Sequence, residues 1–314
     1  MTRCIQKFAV LFVALFAATG RAGEVRVTQA HMGLAVTLTI HAPTAADEAA
    51  AKVAARRAFE RVAELDAILS DWNPRSELND LCRRAGDGPQ KISAELHVVL
   101  TEAKKLAEAS GGLYDPTAAP LVRLWREARR TGELPSDEAI EAARSLVGWS
   151  DLILGDGTAE LRRPGMQLDL GGIAKGYVGD EAIRVLRDLG FPRAAYEAGG
   201  DVVVGDAPPG AEGWRVEPEG LEPILVKSEA VAISGDSVQF AIIDGVRYGH
   251  VVDPRTGRPT EARRSCLVRS PRGIDADALA TLGTIMGAEA FAQLIEARGS
   301  GTTASVAFGN VPEP

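Results

Sequence analysis

Histidine and cysteine are scarce in this chain, which has four and three of them among its 314 residues. They are scattered, and their spacing matches no zinc motif, so a His/Cys zinc site is not the expected basis of its chemistry. The sequence also lacks a GxGxxG fingerprint, a Walker loop and a Gly-x-Ser-x-Gly elbow. Rossmann dinucleotide binding, P-loop chemistry and α/β-hydrolase chemistry are therefore not indicated.

The chain has no excess of positive charge. Its formal net charge is −8, and no basic stripe is visible, which argues against a general nucleic-acid partner. Long apolar runs are also absent beyond the N-terminus, so we expect the mature protein to be soluble. A hydrophobic content of 46% and a charged content of 25% are ordinary for a globular protein.

The N-terminus has a pattern of its own. Arg3 and Lys7 precede an apolar run over residues 8–18, and the small residues Gly20 and Ala22 follow it. A basic region, a short apolar segment and a small-residue cleavage zone are typical of a secretory signal peptide. The run is shorter than the roughly 20 apolar residues of a membrane span. An uncleaved anchor is the alternative interpretation.

The pattern divides the chain into a signal peptide, residues 1–22, and one domain, residues 23–314. Long helical patterns come early in that domain and strand patterns dominate its second half, which predicts an α+β or mixed α/β fold. Cleavage of the signal peptide would leave Cys82 and Cys266 as the cysteines of the mature protein. Two cysteines permit one disulfide without requiring it, and we predict buried or free thiols.

The most informative stretch lies near the middle of the chain. Residues 167–170 have the pattern of a strand end, the pair Gly171 and Gly172 interrupts it, and residues 173–189 have helical spacing. A glycine turn at a helix N-terminus can bind an anion through unpaired N–H groups. Asp169 and Lys175 flank this turn with opposite charges. A tight turn without a ligand explains the same residues.

A second candidate site lies in the last predicted helix, residues 275–298. Asp277 and Thr281 are four residues apart and therefore lie on one helical face. A carboxylate and a hydroxyl supply the oxygen ligands that Mg²⁺ prefers. Acidic residues also favour a helix N-terminus through the macrodipole alone, without any metal.

Three other side chains are candidates for function. His250 follows a strand pattern and could serve in acid–base chemistry or contact a phosphate, although a histidine beside apolar residues is often structural. Trp72 and Tyr114 lie in predicted loops. Aromatic side chains in loops can stack on a flat ligand ring or cover an edge of the core.

Several segments, taken together and in order, match a known family. They are Met32-Gly33, residues 70–78, residues 112–117, residues 168–177, residues 198–201, residues 234–236, residues 249–257 and residues 277–281. With these motifs the chain resembles the FAD:protein FMN transferases, the ApbE family, over nearly its whole mature length. The glycine segment, the His-x-x-Asp-Pro-x-Thr-Gly turn and the Asp-Ala-x-Ala-Thr helix are jointly very specific.

The resemblance implies a two-lobed mixed α/β fold with the flavin site between the lobes. It implies a Mg²⁺-dependent enzyme that takes FAD as substrate, transfers its FMN moiety to a threonine or serine hydroxyl of an acceptor protein, and releases AMP. The partner would be an acceptor flavoprotein subunit of a membrane or periplasmic redox system. The location would be the periplasm or the periplasmic side of the inner membrane.

The resemblance also assigns roles to individual residues. The Mg²⁺ ligands would be Asp277, Thr281 and the carbonyl oxygen of Gly172. His250 or an acidic neighbour would take the proton of the acceptor hydroxyl. The positions that would contact FAD are Met32, Trp72, Leu113, Tyr114, Asp115, Asp169, Lys175 and Val252.

The chain departs from the family pattern at three positions. Leu34 replaces a frequent threonine, Trp72 replaces a frequent tyrosine, and Gly249 replaces a frequent serine. None of them is a metal ligand, so they affect details of flavin contact. Two other functions remain open on the same residues: a Mg²⁺-dependent FAD pyrophosphatase that yields FMN and AMP, and a flavin-binding protein without catalysis.

Overall fold

The computed structural model describes residues 14–15, 23–218, 221–235, 240–260, 264–299 and 301–308. Apart from Ala14–Leu15, the predicted signal peptide lies outside the described residues. Among those residues, no helix combines the length and apolar character needed to cross a membrane.

The described part of the chain has eight α-helices. They are α1 (Ala45–Leu69), α2 (Glu77–Arg83), α3 (Ala94–Ala109), α4 (Ala119–Thr131), α5 (Asp137–Arg144), α6 (Ala174–Asp188), α7 (Gly273–Ile285) and α8 (Ala288–Arg298). A short 3₁₀ helix spans Trp149–Asp151.

The strands of the described residues lie between and after these helices. They are β1 (Ala14–Leu15), β2 (Glu24–His31), β3 (Leu34–His41), β4 (Gln90–Lys91), β5 (Leu152–Gly155), β6 (Thr158–Leu161), β7 (Ala194–Ala198), β8 (Asp201–Val204), β9 (Trp214–Glu217), β10 (Ile224–Val226), β11 (Ala230–Gly235), β12 (Phe240–Ile243), β13 (Val246–Gly249), β14 (Val252–Asp253), β15 (Arg258–Pro259), β16 (Arg264–Ser270) and β17 (Thr303–Phe308).

The main sheet has seven strands in the order β17-β16-β11-β8-β7-β3-β2, and all its pairs are antiparallel. Its first hairpin closes through the two-residue loop Met32-Gly33, with His31 paired to Leu34. Both loop residues have positive φ, 52° and 73°, as a tight hairpin loop that matches the strand twist requires.

Helices α1, α6 and α7 cover one face of the main sheet. The strand β8 shows how the two faces differ, because successive side chains alternate. Val203 belongs to the large core beneath these helices, whereas Val202 and Val204 belong to a second core formed with β9 and β10. Asp201 has the parity of Val203 and therefore lies on the helix-covered face.

A third, smaller core joins α4 and α5 to the hairpin β12–β13. Trp125 is its largest side chain and is almost completely buried. Its indole Nε1 donates a hydrogen bond of 2.8 Å to the carbonyl oxygen of Gly257, and its ring stacks on Tyr248 at 5.2 Å between centroids.

The mixed α+β class is confirmed, but two local predictions were wrong. Residues 275–298 do not form one helix, because Met286 and Gly287 are extended, with ψ of 143° and 145°. Residues 167–170 are not a strand end. Gln167 makes one isolated bridge, to Ala118, and the segment is held by a turn instead, since Asp169 N–H donates to the Pro116 carbonyl at 2.9 Å.

Cys82 and Cys266 are both free thiols, Cys266 buried and Cys82 half-buried, as predicted. Burial raises the pKa of the Cys82 thiol above its ordinary value. Burial also raises the pKa of the Cys266 thiol, to about 12. Both thiols are therefore protonated at neutral pH.

The third core gives a stability prediction. Replacing Trp125 with Phe removes the indole donor and leaves the Gly257 carbonyl without its partner. We expect the free energy of unfolding, measured by urea denaturation, to fall by about 1–3 kcal/mol. Trp72→Phe is the matched control, because that side chain is 68% exposed. Equal losses in the two variants would contradict the packing described for Trp125.

Candidate functional site

The glycine pair before α6 lies directly against α7. A Cβ atom on Gly172 would fall only 2.8 Å from Thr281 Oγ1, so a larger residue could not keep the backbone in this position. The preceding turn is fixed by Asp169, whose Oδ1 accepts a hydrogen bond of 2.8 Å from Gly171 N–H. The structure thus brings together Gly172 and Thr281, which lie 109 residues apart in the numbering of the chain.

Asp277 lies one turn before Thr281 on α7 and is only 3% exposed. Its Oδ2 accepts a hydrogen bond of 3.1 Å from Gly176 N–H, and its Oδ1 accepts one of 2.7 Å from Lys175 Nζ. These contacts require α6 and α7 to touch. A Cβ atom on Gly176 would overlap the Gly273 carbonyl.

Lys175 extends its ammonium group among several oxygen atoms. Besides Asp277, it donates to the Gly171 carbonyl at 2.9 Å and lies 3.2 Å from Asp201 Oδ2. Burial alone lowers the pKa of Lys175, but the charges of Asp201 and Asp277 outweigh burial and raise it above its ordinary value. Lys175 is therefore charged at neutral pH and lies between the buried carboxyl groups of Asp201 and Asp277.

Asp201 ends the matched segment 198–201, but the sequence interpretation gave it no role of its own. It is 4% exposed and begins β8, whose other residues are all valine. Burial raises the pKa of its carboxyl group, and the nearby charge of Asp277 raises it further, while Lys175 opposes both. An acidic residue at the head of an otherwise apolar, fully buried strand is the signal that could have identified it.

The oxygen donors at the α6–α7 contact fit a hard divalent cation. Asp277 offers a carboxylate and Thr281 a hydroxyl on one helical face, beside the backbone of Gly172. Each Asp277 oxygen already accepts one hydrogen bond, but a carboxylate oxygen can take more than one partner. The described residues hold no cluster of three or more His, Cys, Asp or Glu side chains suited to a metal. Any cation here therefore depends on the hydroxyl and the backbone as well.

Trp72 and Asp169 both contact Arg126, which was not among the sequence candidates. The Arg126 guanidinium lies 4.4 Å from the centroid of the Trp72 ring. It donates to Asp71 at 2.6 Å and to Asp169 at 3.1 Å. Burial raises the pKa of Asp169 and the charge of Asp71 adds to this, whereas Arg126 lowers it. No sequence pattern distinguishes Arg126 from the other arginines of α4.

In residues 113–115, Leu113 and Tyr114 are buried and Asp115 is half-buried. Leu113 and Tyr114 belong to the large core, and the Tyr114 amide is anchored by Ser110 Oγ at 3.0 Å. Burial raises the pKa of the Tyr114 hydroxyl well above its ordinary value, and the charges of Asp277 and Asp169 add to this. Tyr114 therefore lies near both candidate regions.

Asp115 and Met32, two other predicted FAD contacts, take part in hydrogen bonds within the protein. Asp115 accepts hydrogen bonds from Thr117 N–H at 2.8 Å and Trp149 N–H at 3.1 Å, and burial raises the pKa of its carboxyl group. Met32 N–H donates to Asp66 at 3.0 Å. These bonds fix the loops that carry the two residues, and their contacts with FAD stay predictions.

His250 and Val252 follow the β12–β13 hairpin in the chain. His250 is half-buried directly after β13, and Val252 packs in the third core with Trp125. The other members of that core come from α4, α5 and the β12–β13 hairpin. The roles of His250 as a base and Val252 as a flavin contact therefore stay predictions.

The charge balance of the buried cluster can be tested by stability. Replacing Lys175 with Met leaves two buried carboxyl groups without their cation, so we expect a loss of about 3–5 kcal/mol in the free energy of unfolding. Arg184→Met on the same helix is the control, because the Arg184 side chain is exposed and ion pairs of an exposed side chain contribute about 1 kcal/mol or less. A urea denaturation series in which both variants lose the same amount would contradict the arrangement.

Comparisons with known proteins were made with the whole chain. The model of the ApbE family matches residues 32–306. The chain is 33% identical over 226 residues to a FAD:protein FMN transferase of Chlamydia pneumoniae, covering 70% of this chain and 72% of the relative. It is 30% identical over 294 residues to one of Treponema pallidum, covering 86% and 81%.

Solved structures show the same similarity. A mutant of the flavin transferase ApbE from Vibrio cholerae superposes with a TM-score of 0.83 at 28% identity, covering 92% of this chain and 95% of that one. The ApbE protein of Thermotoga maritima superposes with a TM-score of 0.79 at 26% identity, covering 91% and 97%.

Proposed function

The chain belongs to the ApbE family, and from this premise we propose that it is a FAD:protein FMN transferase. The reaction we propose is Mg²⁺-dependent transfer of FMN from FAD to a threonine or serine hydroxyl of an acceptor redox protein, with release of AMP. One observation supports this most: Asp277, Thr281 and the backbone of Gly172 come together near the partly buried ammonium of Lys175.

The proposed site assigns a task to each of these residues. Gly172, Asp277 and Thr281 would hold Mg²⁺, which supplies charge neutralisation on the diphosphate when it is bound. Lys175 fixes the Asp277 carboxylate in place and adds a positive charge next to it. The positive N-terminal end of the α6 helix dipole also favours an anion. Together these groups suit a diphosphate.

The chemical step we propose is an in-line displacement at phosphorus. The acceptor hydroxyl oxygen forms a bond to the phosphorus of the FMN half, and the diphosphate P–O bond to AMP breaks. The hydroxyl proton passes to His250 or to an acidic neighbour, and AMP leaves with the bridging oxygen.

Contacts with the rest of FAD are proposed for the surrounding residues. Trp72 would stack on a flat ring of FAD, since it is 68% exposed and aromatic faces attract each other. The remaining contacts would come from Met32, Leu113, Tyr114, Asp115, Asp169 and Val252.

We also propose a periplasmic location, supported by the signal-peptide pattern of residues 1–22. The acceptor would then be a flavoprotein subunit of a membrane or periplasmic redox system. Its identity can be found by mass spectrometry of proteins co-expressed with the enzyme, as a protein that gains the mass of FMN.

The proposed reaction predicts two linked products. Incubation of the enzyme with FAD, Mg²⁺ and the acceptor should release AMP and attach an equal amount of FMN covalently to the acceptor. AMP without covalent flavin would indicate a FAD pyrophosphatase instead. FAD binding with no AMP over hours would indicate a non-catalytic flavin-binding protein. Chelation of Mg²⁺ with EDTA should stop both products, and added Mg²⁺ should restore them.

The metal assignment predicts the effect of one conservative substitution. Asp277→Asn removes the carboxylate charge at the proposed Mg²⁺ site and should lower the rate of AMP release by about 100-fold or more. Asp275→Asn is the control on the same helix, because Asp275 pairs with Arg272 and Arg298 instead. Activity of Asp277→Asn equal to that of the control would remove Asp277 from the site.

The stacking role of Trp72 predicts a change in affinity without a change in stability. Trp72→Ala should weaken FAD binding, measured by calorimetry, by about 2- to 10-fold, the range expected for one aromatic pair. Its free energy of unfolding should stay within about 0.5 kcal/mol of the wild-type value, because the side chain is exposed. Unchanged FAD affinity would exclude the stacking.

A further inference from the structure

Arg126 joins three separate segments of the chain. It lies on α4, and its guanidinium donates to Asp71 in the loop after α1 and to Asp169 before the glycine turn. The same guanidinium lies over the ring of Trp72, which is next to Asp71. One side chain therefore sets the relative positions of the loop, the turn and the helix.

The surroundings of Arg126 make these contacts strong. The side chains of Asp71 and Asp169 are largely buried, at 10% and 14% exposure, and unpaired carboxylates are costly in such places. A planar guanidinium can bond two carboxylates and still present its face to an aromatic ring. A lysine ammonium is a point charge and has no such face.

The contact with Arg126 determines which face of the Trp72 ring stays exposed. One face of its indole ring is covered by Arg126, yet the side chain is 68% exposed. The opposite face and the edges of the ring must therefore supply most of that exposure. A large aromatic ring with one face fixed against the protein and the other face exposed is a preformed platform for a flat ligand.

We propose that Arg126 is a positioning residue that holds Trp72 as the platform for one flat ring of FAD. This inference rests on the proposed function, because that function supplies the ligand. Arg126 acts through Trp72 and lowers the cost of ordering the indole ring on binding. Loss of Arg126 leaves Trp72 free to rotate, so FAD affinity falls although no direct contact with FAD is removed.

Helix α4 offers a matched control for the test. Arg130 lies one turn after Arg126, is exposed, and pairs with Glu127 of the same helix. Substitution of Arg130 with Gln changes the net charge of the helix in the same way as substitution of Arg126. Any effect that the two variants share is therefore an effect of charge alone.

The experiment is a double-mutant cycle on FAD affinity, measured by calorimetry without acceptor. We expect Arg126→Gln to weaken binding by about 3- to 10-fold in the wild-type background, and by less than about 2-fold in the Trp72→Ala background. Arg130→Gln should have no effect in either background. An equal loss from Arg126→Gln in both backgrounds would overturn the inference, because Arg126 would then not act through Trp72.

A second variant covers the case in which Arg126→Gln does not fold. Arg126→Lys keeps a positive charge beside Asp71 and Asp169, so we expect it to fold and still to bind FAD more weakly. Full affinity of Arg126→Lys would overturn the inference. Titrations of the variants with FMN and with ADP show whether the flavin or the adenine ring of FAD lies on Trp72. The affinity for only one of these two ligands should fall. If neither falls, the platform role is wrong.

These outcomes are distinct from failure of the proposed function. If the wild-type protein binds no FAD, both the proposed function and this inference are overturned. If it binds FAD and Trp72→Ala weakens the binding, while Arg126→Gln behaves like Arg130→Gln, only this inference is overturned.

Discussion

The close approach of α6 and α7 is the contact on which the candidate site depends. Gly176 and Gly273 face each other so closely that a Cβ atom on either would overlap the carbonyl of the other. Because the backbones touch, Asp277 on α7 reaches both the amide of Gly176 and the ammonium of Lys175 on α6. Thr281 reaches Gly172 for the same reason. Without the contact between α6 and α7, Asp277 and Thr281 would not lie close to Gly172.

The cost of that arrangement is two buried carboxyl groups, Asp201 and Asp277, and the ammonium of Lys175 offsets it. The cluster lies between the helices and the main sheet, where the core is otherwise apolar. A network of this kind is unlike a surface ion pair, since its members lose much of their hydration. It fixes the side chains that face the proposed diphosphate, and Arg126 does the same for the proposed ring platform.

Much of the fold could be predicted from local pattern. Helix caps at Ser76 and Ser93 and the turn at Asp244-Gly245 follow directly from residue type. The break at Gly287 was missed because apolar spacing continues across it. Asp277, Thr281 and Gly172 were predicted through family motifs, but Asp201 and Arg126 were not proposed. Their partners lie far away in the chain, and only tertiary structure brings those partners together.

We propose that a divalent cation binds where the turn at Gly171 and Gly172 meets α7. The most direct measurement is anomalous diffraction from a crystal of the protein soaked with Mn²⁺, as a visible substitute for Mg²⁺, and FAD. We expect one anomalous peak within bonding distance of Asp277 and Thr281 oxygens and the Gly172 carbonyl, next to the diphosphate. A diphosphate bound elsewhere, or a peak away from these three residues, would contradict it.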